Sequence, residues 1–528
     1  MTAFAQPRPA PPPAGGARGE ARPRPGVEEL LLAVGLVVNL AVALAARHFP
    51  YQDAPNHLAR YVLLERALAG APPADFQFAV VPTSYVAVDL LGALLVRAVG
   101  PAGALRTLTV LALTLLPLGM YLLLRAAAPA RRGWALVGVL FGFSWYFLAG
   151  FLNYTLGIAL ALVWLAAWWP RRATRSRPAR LLLAAGALGL FLVHLVAPLV
   201  LLVVLWVDWL LDAATAAGRR WHPRTLVRRP RLLTALAVTV PVMALYLWTE
   251  QAGAGIGSTP GVTEFRPPVE KVRALAAPFY AFSLTQMAVM GAGYAAALAG
   301  FVLANRGRLR LDAFVVAAAA FVALFVVFPR TIPAAGDIDV RWLLPAYLLP
   351  FCMAGAAERG RQRGALVALL AACLLHAGVV HRSAVAIDRE LAAFDAVLAQ
   401  LPAGSRVLPL VADGRRHGRV SPYLHYAHWH TVARDGRVPA LFSLVGTREG
   451  DLPYKHFAHF RARRQLYFPR NDWGTRDFSP LDWTRIAADY DFIVQAGDDH
   501  RVRAYLSAHA RPALRAGEVT LYRVAPPR

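Results

Sequence analysis

A short stretch near the N-terminus combines an acid, an imidazole and a guanidinium group at helical spacing. Asp53 and His57 are four residues apart, and Arg60 follows three residues later. A helix that starts near Pro55 would carry all of them on one face. A carboxylate beside an imidazole can act as a general base that deprotonates a hydroxyl or amine nucleophile. The alternative is that Asp53 is a helix cap with a solvated helix face behind it.

Two further acids, Asp337 and Asp339, raise the question of a metal. Together with Asp53 and His57 they could form an oxygen-rich site for Mg²⁺ or Mn²⁺. The alternative, which we favour, is a solvated loop in which one of the two acids pairs with Arg341. The sequence therefore predicts no metal ligand set firmly and leaves a divalent metal open.

The composition indicates that a membrane must position these residues. Of 528 residues, 57% are apolar and only 16% are charged, whereas soluble domains carry more charge and less apolar content. These values exclude a disordered chain, a coiled coil, a disulfide scaffold and an ordinary cytosolic enzyme. The net charge of +25 is mostly arginine, and much of it lies in short loops between apolar runs. That pattern is typical of an inner-membrane protein and does not indicate nucleic-acid binding.

Apolar runs long enough to cross a bilayer recur through residues 27–384. We predict a polytopic α-helical domain of eleven spans, in which the run at 181–211 folds into two short spans that meet near His194. Residues 84–99 are expected to lie on the outer surface as an interfacial helix. The remaining spans are predicted at 27–46, 105–124, 133–150, 154–170, 232–249, 284–304, 312–328, 342–357 and 364–382.

The distribution of positive charge predicts the orientation of these spans. With this set of spans, the inner loops hold 20 arginines in 51 residues, and the outer loops hold eight lysines or arginines in 104 residues. Positive charge is enriched on the cytosolic side of bacterial inner-membrane proteins. We therefore expect a cytosolic N-terminus and a C-terminus outside the cytosol.

The two ends of the chain differ from the apolar middle. Residues 1–26 are rich in Pro, Ala, Gly and Arg and are predicted to be a disordered cytosolic tail. In residues 385–528, strand-like runs alternate with helical stretches, which indicates a small soluble α/β domain in the periplasm or outside the cell. The predicted strands are Arg406–Val411, Val438–Ser443, Asp491–Gln495 and Val519–Val524, and the predicted helices are 421–434, 480–489 and 499–509.

Several short motifs resemble the GT-C superfamily of membrane glycosyltransferases, including its protein mannosyltransferase and aminoarabinose transferase types, and an uncharacterised bacterial branch in particular. Each motif lies beside a predicted span. The motifs are Asp53-Ala-Pro-Asn-His57-Leu-Ala-Arg60, Leu95-Val-Arg-Ala-Val-Gly100 with Ala104-Leu-Arg106, Gly150-Phe-Leu-Asn153-Tyr-Thr-Leu-Gly157, His194 to Pro198, and Val340-Arg341-Trp-Leu-Leu-Pro345. The resemblance covers about residues 27–382 and includes a long first outer loop at 48–104.

The resemblance implies that a sugar linked to a polyprenyl phosphate is transferred outside the cytosol to a glycan, lipid or protein. Asp53 would be the base, with His57 beside it. Arg330 and Arg341 would bind the donor phosphate, and Lys271 and Arg273 are further candidates. Each of these cations could instead reach from a span end to lipid headgroups. Other candidate site residues are Arg60, Arg106, Asn153, His194, Asp337 and Asp339.

Two other classes of function fit similar hydropathy. A transporter or lipid-carrier flippase is one alternative, although such proteins often contain inverted repeats and this sequence has no convincing repeat. A non-catalytic membrane protein of envelope assembly is the other, with the outer α/β domain as its working part. A glycosyltransferase remains the leading prediction because it explains the position of Asp53 and the long first outer loop.

Overall fold

The architecture is seen in a computed structural model that describes residues 26–72, 74–78, 82–217, 230–251, 263–306, 309–332, 336–353, 359–412, 417–439, 441, 460–462, 466–467, 481–497 and 499–525. Most of these residues are helical. The helices are α1 Val27–Ala45, α2 Ala54–Leu68, α3 Val86–Ala127, α4 Leu136–Leu140, α5 Trp145–Leu148, α6 Leu152–Trp168, α7 Arg177–Val193, α8 Val196–Ala217, α9 Pro230–Gln251, α10 Pro268–Ala274, α11 Leu284–Ala304, α12 Ala313–Val327, α13 Leu343–Leu348, α14 Arg359–Leu398, α15 His428–Arg434, α16 Trp483–Asp489 and α17 His500–His509.

Within these described ranges, seven helices are long and apolar enough to cross a membrane. They belong to α1, α3, α6, α8, α9, α11 and α14. The chain is therefore a multi-pass membrane protein, as its composition predicts. The total of eleven spans and the orientation of the chain in the bilayer stay predictions.

Two ambiguous apolar stretches are divided close to the predicted places. The helix α3 contains a kink at Gly100, whose φ of 74° is left-handed and breaks the helix into two parts. The first part begins at Val86 and covers most of the stretch at 84–99, whose position on the outer surface stays a prediction. The run at 181–211 divides into α7 and α8, with His194 in an extended conformation between them.

Two predicted spans are not continuous helices. At 133–150 the chain forms short α and 3₁₀ segments that are buried throughout Leu136–Leu148, and the described part of 342–357 is broken in the same way. Close backbone packing favours the first break, because a Cβ on Gly138 would lie 2.7 Å from Cα of Pro117. Irregular backbone is tolerated at membrane depth where protein covers it. The prediction of a regular helix in these two places is wrong.

The helix α14 connects the membrane-spanning part with the C-terminal residues. It extends without a break from Arg359 to Leu398, beyond the predicted span at 364–382 and past the predicted domain boundary at 384/385. Buried residues of its last turns, including Ile387, Leu391 and Phe394, belong to the main hydrophobic core.

The C-terminal residues form a four-stranded mixed sheet, which confirms a small α/β fold. The strand order is β2-β4-β6-β5, with β2 parallel to β4 and the other pairs antiparallel. These strands are β2 Val407–Val411, β4 Phe492–Ala496, β5 Ala510–Ala516 and β6 Val519–Val524. Side chains alternate between the faces: Val494 joins the main core, whereas Ile493 packs with α16 and α17.

The C-terminal residues also contact the first outer loop. Strand β1, Phe76–Phe78, pairs antiparallel with β3, Phe460–Ala462. The predicted helix at 421–434 is regular only in α15 and is preceded by turns. Of the predicted strand at 438–443, residues 438, 439 and 441 are described and none of them is in a strand, whereas the other three lie outside the described residues. Strand β5 is an element that the sequence does not predict.

Candidate active site

Asp53 lies at the start of α2, on a segment held by the buried turn before α6. Its backbone N–H donates to the carbonyl of Ala149 at 3.2 Å. Gly150 has a φ of +84°, and a Cβ at this position would lie 2.7 Å from the backbone nitrogen of Asp53. Only glycine therefore allows the turn to pack this closely. Asp53 occupies the N-cap position, but its side chain makes no capping hydrogen bond and is 5% exposed.

Asp53 lines a cavity of about 810 Å³. Asp53 shares this cavity with four arginines and two further acids among the described residues. The polar and charged lining residues are Gln52, Asp53, Arg266, Glu270, Arg273, Arg330, Asp337, Arg419 and Ser421. The arginines come from the segments before α10, within α10, after α12 and between β2 and α15. A carboxylate and several guanidinium groups from remote segments thus share one space.

Arg341 lies behind the wall of this cavity. Its Nη2 donates to the carbonyl of Gly336 at 3.2 Å, and its guanidinium carbon lies 4.9 Å from the centre of the Phe151 ring. Gly336 and Phe151 both line the cavity, whereas Arg341 does not. Arg341 is 6% exposed, and its Nε has no hydrogen-bond partner in the described part of the chain. Arg341 is therefore separated from the cavity by Gly336 and Phe151, whereas Arg330 lines it.

The ammonium group of Lys271 is bound inside the protein. Its Nζ donates to the carbonyls of Phe325 at 2.6 Å and Phe328 at 2.7 Å, and to Asp339 Oδ2 at 2.9 Å. These contacts engage all three ammonium protons. Lys271 is not a lining residue of the cavity, whereas Arg273 is exposed there.

The pairing expected between Arg341 and either Asp337 or Asp339 does not occur. Arg266 bonds to both acids instead, with its Nε 2.8 Å from Asp339 Oδ2. Asp339 is fully buried between Arg266 and Lys271. Across the described residues there is no group of three or more His, Cys, Asp or Glu side chains that could hold a metal ion.

His57 and Arg60 stabilise α2, the helix that begins next to Asp53. Arg60 forms a buried ion pair with Asp89 of α3, and its Nη1 lies 3.2 Å from His57 Nδ1. Neither His57 nor Arg60 lines the cavity. Arg106 lies elsewhere, at a second cavity of about 250 Å³ between the C-terminal end of α1 and the part of α3 that follows its kink.

Asn153 and His194 are buried beneath the site. His194 Nδ1 accepts from the backbone N–H of Val196 at 3.1 Å, and its Nε2 lies 3.4 Å from Arg341 Nη1. Gly157 lets α6 approach the residue between α7 and α8, because a Cβ at Gly157 would lie 3.0 Å from His194 Cβ. The amide atoms of Asn153 have no hydrogen-bond partner within the described residues.

Four polar residues of the site are not among the site residues predicted from the sequence. Gln52 Nε2 donates to Asp53 Oδ1 at 3.3 Å, and His425 Nε2 lies 3.6 Å from the same oxygen. Arg266 and Arg419 line the cavity. His425 has one signal in the sequence, its place in a histidine-rich stretch, but the other three have none.

Arg419 is held in place by several neighbours. Its guanidinium carbon lies 3.9 Å from the centre of the Trp145 ring, and its Nη1 donates to the carbonyl of Ala277 at 3.3 Å. Burial lowers the pKa of Arg419, while the nearby Asp337 raises it. The guanidinium group stays charged at neutral pH.

The comparisons with known proteins concern the fold. No family model and no curated protein matches this chain. Among solved structures, it is similar to ArnT from Cupriavidus metallidurans, both bound to undecaprenyl phosphate and in the apo state. In each case the TM-score is 0.54 at 12% identity, and the match covers 95% of this chain and 99% of the other. The polytopic helical membrane fold predicted from the sequence is therefore confirmed, and it is similar to the fold of ArnT.

Proposed function

We propose that this chain is a membrane glycosyltransferase that moves a sugar from a polyprenyl-phosphate donor to an acceptor outside the cytosol. The observation that carries the proposal is the shared cavity of Asp53 and the four arginines. A base and a phosphate-binding cluster are the two parts that this reaction needs. The fold of ArnT, a protein solved with undecaprenyl phosphate bound, supports the class of donor.

In the proposed reaction, the acceptor hydroxyl or amine attacks the anomeric carbon of the sugar. The bond between this carbon and the phosphate oxygen breaks, and its electrons leave with the polyprenyl phosphate. Arg266, Arg330 and Arg419 offset the charge that develops on the leaving phosphate. Asp53 takes the proton from the nucleophile. Because attack and departure occur on opposite faces of the sugar, the anomeric configuration is inverted.

The remaining predicted residues receive supporting roles. Arg273 is proposed as a further phosphate ligand at the cavity, and Arg341, whose Nη1 lies 3.4 Å from His194 Nε2, as a buried positive charge behind Phe151. Lys271, His57 and Arg60 are proposed to hold the acids and α2 in place through their internal contacts. The sequence leaves a divalent metal open, and an activity assay with and without EDTA would decide this question.

We further propose that the protein lies in the bacterial inner membrane with its N-terminus in the cytosol. The active-site cavity is then on the outer side, together with the C-terminal sheet. The concentration of arginines in the predicted inner loops supports this orientation.

The test is the Asp53→Asn variant of the full-length protein in lipid nanodiscs. The assay follows labelled sugar as it leaves a panel of undecaprenyl-phosphate-linked pentoses and hexoses for an acceptor extract of bacterial envelopes. We expect transfer to fall by at least about a hundredfold, because the amide cannot accept the proton.

The matched control is Asp482→Asn. Asp482 is also an aspartate at a helix N-cap, where it accepts from the backbone N–H of Arg485 at 3.1 Å, and asparagine caps equally well. This control should keep full activity. Full activity of Asp53→Asn, with unchanged melting temperature, would contradict the proposed mechanism.

A further inference from the structure

The inference concerns His425, which lies in the turns before α15 and contacts the start of α2. His425 Nε2 is 3.6 Å from Asp53 Oδ1, and the two residues are buried. The imidazole expected beside Asp53 therefore comes from the C-terminal residues, whereas His57 contacts Arg60. The structure brings the two together from opposite ends of the chain.

Asn56 determines which nitrogen of His425 carries the proton. Its amide nitrogen lies 3.3 Å from His425 Nδ1 and 3.2 Å from His428 Nε2. An amide nitrogen only donates, so His425 Nδ1 accepts and the ring proton is on Nε2. With the amide in this orientation, Nε2–H points to Asp53.

The same carboxylate oxygen has a second neighbour. Gln52 Nε2 donates to Asp53 Oδ1 at 3.3 Å, and Gln52 Oε1 accepts from the backbone N–H of Ser421 at 3.0 Å. Ser421 and His425 belong to the same stretch before α15. Two polar side chains from two segments therefore lie beside one oxygen of Asp53, Gln52 with a hydrogen bond and His425 at 3.6 Å.

We propose that His425 is a positioning residue for Asp53, and that Asn56 sets its tautomer so that Nε2–H points at the carboxylate. This rests on the proposed function, because it assigns Asp53 as the base. His425 and Gln52 hold Oδ1 and thereby fix the rotation of the carboxyl group towards the nucleophile. A base that is already held in a productive geometry has less conformational entropy to lose in the transition state, so the activation free energy is lower.

The first experiment needs no substrate. Full-length protein labelled with ¹⁵N-histidine is placed in nanodiscs, and solid-state NMR identifies the His425 signal by its loss in His425→Gln. We expect a protonated Nε2 and an unprotonated Nδ1 near neutral pH, and a shifted Nδ1 signal in Asn56→Ala. A ring with the proton on Nδ1 and a bare Nε2 would overturn the inference.

The second experiment measures transfer in the assay described above. We expect His425→Ala to lower kcat about tenfold to a hundredfold, the loss typical of a hydrogen bond to a charged group, with the donor KM unchanged. The acid limb of the pH profile should move to higher pH, because the carboxylate loses a donor that favours its charged form. His425→Gln should recover most of the activity, since its amide nitrogen donates from nearly the same position.

The pH profiles of the wild-type protein and of His425→Ala are compared, and the two proteins have the same ionisable groups apart from His425. Those that face this part of the site are Arg266, Glu270, Arg273, Arg330, Asp337, Arg419 and His428. The matched control is His430→Ala on α15, a buried ring whose Nε2 lies 2.9 Å from Ser405 Oγ. It should lower the melting temperature and leave the pH profile in place. An unchanged pH profile and kcat in His425→Ala would overturn the inference.

The two experiments separate this inference from the proposed function. If Asp53→Asn is fully active while NMR finds the expected tautomer, the proposed function fails and the positioning contact remains. If Asp53→Asn is inactive while His425 has the other tautomer, only the positioning role fails. Should His425→Ala not fold, His425→Gln and Asn56→Ala provide the same comparison.

Discussion

Lys271 and Arg273 lie two residues apart on α10, and the fold gives them different surroundings. Lys271 is buried against two carbonyls and Asp339, whereas Arg273 is exposed at the cavity. Removal of one partner from a buried ion pair leaves an uncompensated charge, which typically costs about 3–5 kcal/mol. A cation at a phosphate site instead affects binding of the ligand.

We therefore expect Lys271→Met to lower the melting temperature by several degrees, on the order expected for such a buried pair. Arg273→Met should leave the melting temperature unchanged and weaken binding of undecaprenyl phosphate several-fold. Differential scanning fluorimetry and a binding titration in nanodiscs measure the two effects. If Lys271→Met kept its stability and lost binding, Lys271 would be the phosphate ligand and Arg273 would not.

At the residue scale, the sequence identifies the groups that carry local signals. Asp53 follows an apolar run and precedes Pro55, so its place at a helix start near the membrane edge is readable. The contacts that a side chain makes with distant residues have no such local signal. Arg266 has no local pattern that separates it from other loop arginines, yet it binds both Asp337 and Asp339. Such pairings depend on contacts between residues more than 70 positions apart.

At the scale of elements, the turn before α6 holds the start of α2. Gly150 has a left-handed φ of +84°, and a Cβ there would meet the backbone nitrogen of Asp53. We expect Gly150→Ala to displace the Asp53 segment and to lower kcat about tenfold or more, because small misplacements of a catalytic group are costly. The transfer assay measures kcat, and the donor KM should change little because the arginines lie on other segments.

The control for this substitution is Gly189→Ala in α7. A Cβ at Gly189 meets nothing within 4 Å, and alanine favours helix by about 1 kcal/mol over glycine. This variant should keep its activity and gain slightly in melting temperature. Equal activity of Gly150→Ala and Gly189→Ala would contradict the role assigned to the turn.

Elements with a uniform apolar pattern are predictable, and elements shaped by close packing are not. The bounds of the helices α1, α6, α9, α11 and α12 fall within a few residues of the predicted spans. The stretch at 133–150 has the same composition but folds as short buried segments, since its glycines allow backbones to approach. Hydropathy alone does not distinguish a lipid-facing helix from irregular chain covered by protein.

At the scale of the whole molecule, the C-terminal residues complete a site that begins in the first outer loop. The contacts from Gln52 to Ser421 and from Asn56 to His425 each join residues 369 positions apart. The sequence predicts a separate α/β domain, because strand and helix patterns are local. It contains no pattern that predicts where this part of the chain packs, so its contribution to the site is found only in the fold.

The proposed orientation of the molecule in the bilayer, with the C-terminal sheet outside the cytosol, can be tested with single cysteines. The native Cys352 and Cys373 are buried, so they should react slowly with a membrane-impermeant maleimide. Arg511→Cys on β5 is exposed and should be labelled in spheroplasts, since the sheet and the active-site cavity are predicted to lie outside the cytosol. Arg175→Cys, exposed in an arginine-rich inner loop, should be labelled only after the membrane is permeabilised. The reverse pattern would place the cavity in the cytosol and rule out transfer from a donor on the outer leaflet.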